Sequence, residues 1–169
     1  QMHFEVVCKK YDCSFPVELN LIGKHNILNT LAAIGIACEL DIKIKTIQDA
    51  LKDFSGVARR LDHHGFLKIN NQQVTLFDDY GHHPNEIKAV FESLQNTYKD
   101  KRLVVVFQPH RYTRTRDLFD DFSQALSQAD VLVLLDIYPA SEQPIAHINS
   151  SALASSIRQR SALDPIVVK

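Results

Sequence analysis

Three arginines and a histidine directly follow an apolar run in residues 103–116, which read Leu-Val-Val-Val-Phe-Gln-Pro-His-Arg-Tyr-Thr-Arg-Thr-Arg. A guanidinium group is permanently charged, and its planar fork binds a carboxylate or phosphate through two parallel hydrogen bonds. The pattern therefore predicts an anion site at His110, Arg111 and Arg114. The alternative is a purely structural role for these side chains.

Carboxylates and histidines follow a second apolar run, Val74–Phe77, in the stretch Asp78-Asp-Tyr-Gly-His-His-Pro84. A carboxylate at a strand end can bind ribose hydroxyl groups, as acidic residues do in nucleotide-binding sheets. Adjacent histidines can indicate a metal, but His82 and His83 lack helical ligand spacing to the other histidines, so no metal site is predicted. Such histidines more often donate hydrogen bonds to a ligand or cap a turn.

Two further signals lie nearer the amino terminus. Asn26 and Asn29 share a helix face, so their amides could bind the edge of a base such as adenine, or Asn26 could simply cap the helix. Arg59 and Arg60 could contact a phosphate or a sugar from a hinge, or could be solvated in a linker. Spacing alone leaves these alternatives open.

Several catalytic motifs are absent from the sequence. It contains no Gly-x-x-x-x-Gly-Lys-Ser/Thr phosphate loop, no Gly-x-Gly-x-x-Gly motif, and no serine, cysteine or metal constellation that could run a reaction alone. We therefore expect this chain to bind and position substrates but not to catalyse a reaction by itself.

The spacing of apolar residues, which predicts the strands and helices that position these side chains, changes along the chain. Alternating and helical apolar patterns predict strands at 3–8 and 14–22, helices at 26–40 and 44–54, and a boundary at Ser55-Gly56. Beyond the boundary, the predicted strands are 65–69, 74–77, 103–108, 131–135 and 165–168, and the predicted helices are 84–98, 115–128 and 150–160.

The alternation of strands and helices beyond the boundary predicts an α/β fold with a mostly parallel sheet and helices on both faces. The strands 74–77, 103–108 and 131–135 would then end at one polar rim, since the carboxyl ends of parallel strands face the binding crevice. Thr113 or Thr115 is expected to cap the helix 115–128, whose dipole would strengthen anion binding.

Composition limits the class of protein. The chain has 169 residues, 45% of them hydrophobic, which is enough for one principal core. With 19 Lys and Arg against 20 Asp and Glu, the charge balance indicates neither a nucleic-acid nor a membrane partner. No apolar run reaches the roughly 20 residues that span a bilayer, and no leader pattern is present, so a cytoplasmic location is expected. Three unevenly spaced cysteines fit a reducing compartment.

The amino-terminal third is expected to be the tail of a larger domain. A segment of roughly 55 residues buries only about 60% of its unfolded surface, which makes a poor independent unit. The chain is therefore expected to be a fragment of a longer protein, with part of its chemistry outside it.

Five motifs together resemble the Mur ligase family over essentially the whole chain. They are Gly23-Lys-His-Asn-Ile-Leu-Asn29, Gly56-Val-Ala-Arg-Arg60, Asp78-Asp-Tyr-Gly-His-His-Pro84, Phe107-Gln-Pro-His-Arg-Tyr-Thr-Arg-Thr115 and Asp117-Leu-Phe-Asp-Asp-Phe122. The resemblance implies that residues 1–55 are the end of a central ATP-binding domain and residues 56–169 a Rossmann-like carboxyl-terminal ligase domain. Relatives commonly have Gly where this chain has Ser141.

The same resemblance implies the reaction. ATP and Mg²⁺ activate the carboxylate of UDP-N-acetylmuramate as an acyl phosphate, which the amine of L-alanine attacks during peptidoglycan synthesis. The phosphate loop, the metal ligands and the UDP-sugar domain of the family are absent here, so the fragment alone is expected to bind no cofactor. The alternative hypothesis is a free-standing nucleotide-binding or regulatory module without ligase activity.

The family's site residues can be transferred to matching positions of this sequence. The resemblance implies that His25, Asn26 and Asn29 border or bind adenine, that Arg60 contacts the nucleotide, and that Asp79 holds the ribose. It further implies an amino-acid site formed by Tyr80, His82, His110, Arg111 and Arg114, in which the two arginines bind the carboxylate of L-alanine.

Overall fold

The computed structural model describes residues 2–168, and the chain divides into two units, Gln1–Tyr80 and Gly81–Lys169. This division falls well after the predicted boundary at Ser55-Gly56. It reflects how the residues pack, and the assignment of 1–55 and 56–169 to two domains of a longer protein stays a prediction.

The first unit begins with a hairpin packed on two helices. Strands β1 (Met2–Cys8) and β2 (Cys13–Leu19) pair antiparallel, and helices α1 (Lys24–Glu39) and α2 (Ile44–Asp53) follow. Alternate residues of each strand turn to one side, so a small apolar core forms between the hairpin and the helices. Its buried members are Val6, Phe15, Val17, Ile34 and Ile47.

A second hairpin completes the first unit and corrects one prediction. Strands β3 (Asp62–Ile69) and β4 (Gln72–Asp78) form an antiparallel pair of their own, so the segment 74–77 does not belong to the parallel sheet. The reason lies in the turn between them, where Asn70 and Asn71 both have positive φ angles, 48° and 65°. Such a two-residue turn joins antiparallel strands, whereas parallel strands need a crossover of a dozen or more residues.

The second unit contains the predicted parallel sheet. Its strands run in the order β5 (Val104–Phe107), β6 (Val131–Leu134) and β7 (Ile166–Val167), all parallel. The helices are α3 (Pro84–Thr97), α4 (Tyr112–Asp117), α5 (Phe119–Leu126) and α6 (Ser150–Arg160). The mixed α/β class is therefore confirmed.

The core of the second unit lies on one face of this sheet. Leu132 and Leu134 are fully buried against apolar residues of α3, α5 and α6, which include Phe91, Phe122 and Leu153. Val104 and Val106 point to the opposite face by strand alternation and are 53% and 66% exposed. Helices that contribute to this core thus cover one face of the three strands, where coverage of both faces was predicted.

The helix predicted at 115–128 is two helices, with Leu118 between α4 and α5. Leu118 separates them because its backbone, with a φ of −117° and a ψ of 25°, lies outside helical geometry. Neither Thr113 nor Thr115 caps α4, so that prediction is wrong: Arg111 occupies the cap position without a side-chain hydrogen bond.

Among residues 2–168, no helix combines the length and the apolar character that crossing a membrane requires.

Candidate functional site

The predicted anion site lies where β5 and β6 end at the same edge of the parallel sheet. We define the basic cluster as His110, Arg111 and Arg114, which follow β5, together with Tyr138 and Glu142, which follow β6. Backbone hydrogen bonds tie the two segments: the Tyr138 N–H donates to the Pro109 carbonyl and the Arg111 N–H donates to the Tyr138 carbonyl, both at 2.8 Å. The cluster is therefore built on the two strands and does not depend on a flexible loop.

His110 is a neutral ring at the centre of the basic cluster. It stacks on Tyr138 with ring centroids 5.3 Å apart, and the His82 ring lies at 6.4 Å. Burial lowers the pKa of His110 from its ordinary value of 6.5, and the charges of Arg114 and Arg111 lower it further. The guanidinium of Arg114 lies 3.3 Å from His110 Nδ1 and can only donate, so the hydrogen-bond pattern assigns the ring proton to Nε2. His110 can thus present an N–H to a ligand.

Arg111 has an unusual backbone that the surrounding residues hold in place. Its φ of 73° and ψ of 136° lie in a sparsely populated backbone region, which costs a non-glycine residue of order 1–3 kcal/mol. The Tyr138 carbonyl binds its N–H, and Thr115 donates twice to its carbonyl. Strain of this kind persists only where neighbours over-determine the conformation, which is common at ligand sites.

Arg111 and Arg114 have different partners within the protein. The Arg111 guanidinium lies 3.6 Å from Glu142, while that of Arg114 donates to the His110 carbonyl at 3.3 Å. The contribution of a helix dipole to anion binding stays a prediction. Helix α4 has six residues, and Arg114 and Arg116 lie in its last turn, where positive charge is favourable.

Glu142 is a member of the basic cluster for which no role was predicted from the sequence. Its carboxylate accepts from the Thr113 N–H at 2.9 Å and from the Thr113 hydroxyl at 2.6 Å. The hydroxyl and backbone hydrogen bonds from Thr113 lower the pKa of Glu142 from its ordinary value of 4.5. The available signal was its place in the polar stretch 136–142 after a predicted strand, but its partner lies 29 residues away.

The loop that carries Glu142 has a strained residue at Ser141, where the resemblance suggested Gly. Ser141 has a φ of 71°. We expect Ser141→Gly to raise the free energy of unfolding by about 0.5–1 kcal/mol, because relief of left-handed strain exceeds the entropy that glycine gains in the unfolded chain. Chemical denaturation of the 169-residue chain measures this difference.

Ser155→Gly is the matched control for that prediction. Ser155 is exposed within α6, where glycine is destabilising by roughly 0.5–1 kcal/mol relative to alanine. The control variant should therefore lose stability while Ser141→Gly gains it. A loss of stability in both variants would contradict the argument.

In the first unit, the predicted nucleotide residues Arg60 and Asp79 lie around the start of β3 and the end of β4, and so does Tyr80, which was predicted for the amino-acid site. Asp79 accepts from the Leu61 N–H at 2.7 Å, and the Tyr80 N–H donates to the Arg59 carbonyl at 2.8 Å. The Arg59 guanidinium lies over the Tyr80 ring, 4.9 Å from its centroid. Arg60 is exposed. Asp79 therefore fixes the local turn, a role that the sequence did not indicate.

The predicted adenine residues lie on α1 of the first unit. Gly23 is the cap residue, with a φ of 98° that suits glycine. Asn26 donates from Nδ2 to the Ile22 carbonyl at 2.8 Å, so the alternative that Asn26 caps the helix is wrong. His25 is half-buried and Asn29 is exposed on the same helix.

The paired histidines at the start of α3 have separate roles. His83 caps the helix by accepting from the Asn85 N–H at 3.2 Å, and Glu86 completes a capping box by accepting from the His83 N–H at 3.1 Å. Capping by His83 is thus confirmed. His82 Nδ1 lies 3.8 Å from Glu86 while its ring faces His110. Within residues 2–168, no group of three His, Cys, Asp or Glu side chains could hold a metal ion.

Comparison with known sequences links most of this chain to one family. The family model described as "Mur ligase, glutamate ligase domain" matches residues 59–168. The chain is 72% identical over 169 residues to the UDP-N-acetylmuramate–L-alanine ligase of Ruthia magnifica subsp. Calyptogena magnifica, of which it covers 36%. It is 54% identical over 159 residues to the protein of that name from Hydrogenovibrio crunogenus, and the match covers 94% of this chain and 34% of that protein. The chain thus spans about a third of the length of these relatives.

Solved structures support the fold. The UDP-N-acetylmuramate-alanine ligase of Thermotoga maritima matches with a TM-score of 0.71 and 26% identity, over 91% of this chain and 31% of that one. A murein peptide ligase from Psychrobacter arcticus matches with a TM-score of 0.65 and 24% identity, over 99% of this chain and 34% of that one.

Proposed function

Since this chain belongs to the Mur ligase family, we propose that it is the carboxyl-terminal part of an ATP-dependent ligase that joins L-alanine to UDP-N-acetylmuramate. The observation that carries the proposal is the basic cluster at the ends of β5 and β6. Similarity to relatives named for this reaction supports the choice of substrates. The ATP and Mg²⁺ of the reaction would supply the phosphoryl group and the charge neutralisation that activate the muramoyl carboxylate.

The basic cluster is suited to a small amino acid. Arg111 and Arg114 would bind the carboxylate of L-alanine, and a fixed carboxylate leaves the amine oriented towards the activated carbonyl. The neutral His110 would donate from Nε2–H, and His82 would lie on the same side of the site. A neutral ring avoids adding a further positive charge that would repel the amine while it is still protonated. The resemblance also implies Tyr80 for the amino-acid site, and this assignment stays a prediction.

The nucleotide would be bound by residues of the first unit. Asp79 would accept hydrogen bonds from the ribose hydroxyl groups. His25, Asn26 and Asn29 would border adenine and Arg60 would contact the nucleotide. The sequence holds no phosphate loop, and residues 2–168 contain no group of three His, Cys, Asp or Glu side chains that could hold a metal ion. In this proposal the phosphates and Mg²⁺ are therefore bound outside this chain.

The test is ADP and phosphate release by the full-length protein that contains this chain. We expect release to require ATP, UDP-N-acetylmuramate and an amino acid together, with L-alanine compared against L-serine and glycine. The 169-residue chain alone should release no ADP, although its carboxyl-terminal domain, residues 56–169, should fold cooperatively. ADP release by the chain alone, or no response of the full-length protein to any of the three amino acids, would contradict the proposal.

A further inference from the structure

Glu142, the acidic member of the basic cluster, lies in the loop that follows β6. Thr113 donates to both of its oxygens, at 2.9 Å from the backbone and 2.6 Å from the hydroxyl. The Glu142 side chain is only 19% exposed, whereas that of Arg111 is 48% exposed. The carboxylate therefore faces the start of α4 and the guanidinium faces outward.

The Glu142 carboxylate binds Thr113 more closely than it approaches Arg111. Its bonds to Thr113 have ordinary hydrogen-bond lengths, while the Arg111 Nη1 atom lies 3.6 Å from Oε1, which is an ion pair without a hydrogen bond. A guanidinium has five N–H donors. Glu142 thus attracts the Arg111 side chain electrostatically but leaves its donors able to meet an incoming carboxylate.

The hydrogen bonds from Thr113 to Glu142 also hold the backbone near Arg111 in place. Arg111 is held at a φ of 73°, and Thr113 stands two residues later at the start of α4. Because Glu142 binds the Thr113 N–H and hydroxyl, it ties this segment to the loop after β6. Without that tie, the start of α4 could shift and Arg111 could relax towards a negative φ.

We propose that Glu142 is a positioning residue for Arg111. It fixes the start of α4 through Thr113 and directs the Arg111 guanidinium towards the carboxylate of the amino-acid substrate. This inference rests on the proposed function and adds a residue whose role is indirect, since the Glu142 oxygens are used within the protein.

The first experiment uses Glu142→Gln in the full-length protein. The amide keeps the size of the side chain and one acceptor for Thr113, but it removes the charge that faces Arg111. We expect the KM for L-alanine to rise roughly tenfold, the equivalent of about 1.4 kcal/mol, while kcat and the KM for ATP change less than about twofold. Glu92→Gln is the matched control, because Glu92 is an exposed carboxylate on α3, and it should leave all three constants unchanged.

A double-mutant cycle tests whether Glu142 acts through Arg111. Residues that act on one ligand contact are non-additive. In an Arg111→Ala background, Glu142→Gln should raise the KM for L-alanine by less than about twofold. The proposal is wrong if the full tenfold effect persists in that background, or if Glu142→Gln raises the KM of every substrate together with a lower Tm.

A failure of the proposed function can be distinguished from a failure of the Glu142 proposal. If the proposed function is wrong, the wild-type full-length protein releases no ADP in response to L-alanine. The contact is in that case tested in the 169-residue chain by NMR. The Thr113 amide signal should shift as Glu142 titrates, with a midpoint below 4.5 because the Thr113 hydrogen bonds lower the pKa of that carboxyl. The shift should vanish in Glu142→Gln. A Thr113 signal that does not follow this titration would overturn the proposed positioning.

Discussion

Replacing Arg111 or Arg114 by lysine should raise the L-alanine concentration for half-maximal turnover roughly tenfold to a hundredfold in the full-length enzyme. Lysine keeps the charge but cannot form the planar two-pronged contact with a carboxylate. Loss of one charge-assisted hydrogen bond is worth about 1.5–3 kcal/mol, which corresponds to that range. Arg114→Lys also removes the guanidinium contact to His110, so we expect it to alter the ring environment as well.

Arg116→Lys is the control for both variants. Arg116 lies on the same helix but pairs with Asp117 at 2.7 Å, outside the basic cluster. Its replacement should leave the requirement for L-alanine unchanged, and the requirements for ATP and UDP-sugar should move little in all three variants. If Arg111→Lys and Arg114→Lys both keep the wild-type alanine dependence while the protein stays folded, the two arginines are structural.

Asp79→Ala should raise the KM for ATP roughly tenfold to a hundredfold and that for L-alanine much less. Hydrogen bonds to a charged group are worth about 1.5–3 kcal/mol each, and the ribose would lose at least one. Because Asp79 also accepts from the Leu61 N–H at 2.7 Å, the alanine variant should lower the Tm as well. Steady-state kinetics and thermal unfolding of the full-length protein measure the two effects.

The Asp79→Asn variant distinguishes a loss of ATP binding from a loss of stability. The amide oxygen can still accept from Leu61, so the Tm should recover while the KM for ATP stays raised. Asp78→Asn is the control, since this neighbouring carboxylate pairs with Arg59 at 3.2 Å. An unchanged KM for ATP in Asp79→Ala, with turnover also unchanged, would reject the ribose contact.

The sequence by itself determined the elements whose signals are local. Apolar periodicity predicted α1, α2, α3 and α6 to within about two residues, because one buried face repeats at helical spacing. The strands β5 and β6 were equally visible as short runs of β-branched and apolar residues. Pro84 at the start of α3 and Glu86 in its first turn also follow from neighbours along the chain.

Only the tertiary structure decided which strands pair and which side chains meet. Strand β4 pairs with β3, although the alternation of elements favoured a parallel partner. Leu118 interrupts a helix that local propensity would continue, with a φ of −117° and a ψ of 25°.

The sequence predicted some members of the basic cluster, and the tertiary structure added the others. His110, Arg111 and Arg114 stand together in the sequence, so their residue types alone predicted an anion site. Tyr138 and Glu142 join them because the parallel register of β5 and β6 brings residues 28 and 29 positions apart into contact. A hydrogen bond across that separation depends on the packing of the whole sheet, and no local pattern encodes it.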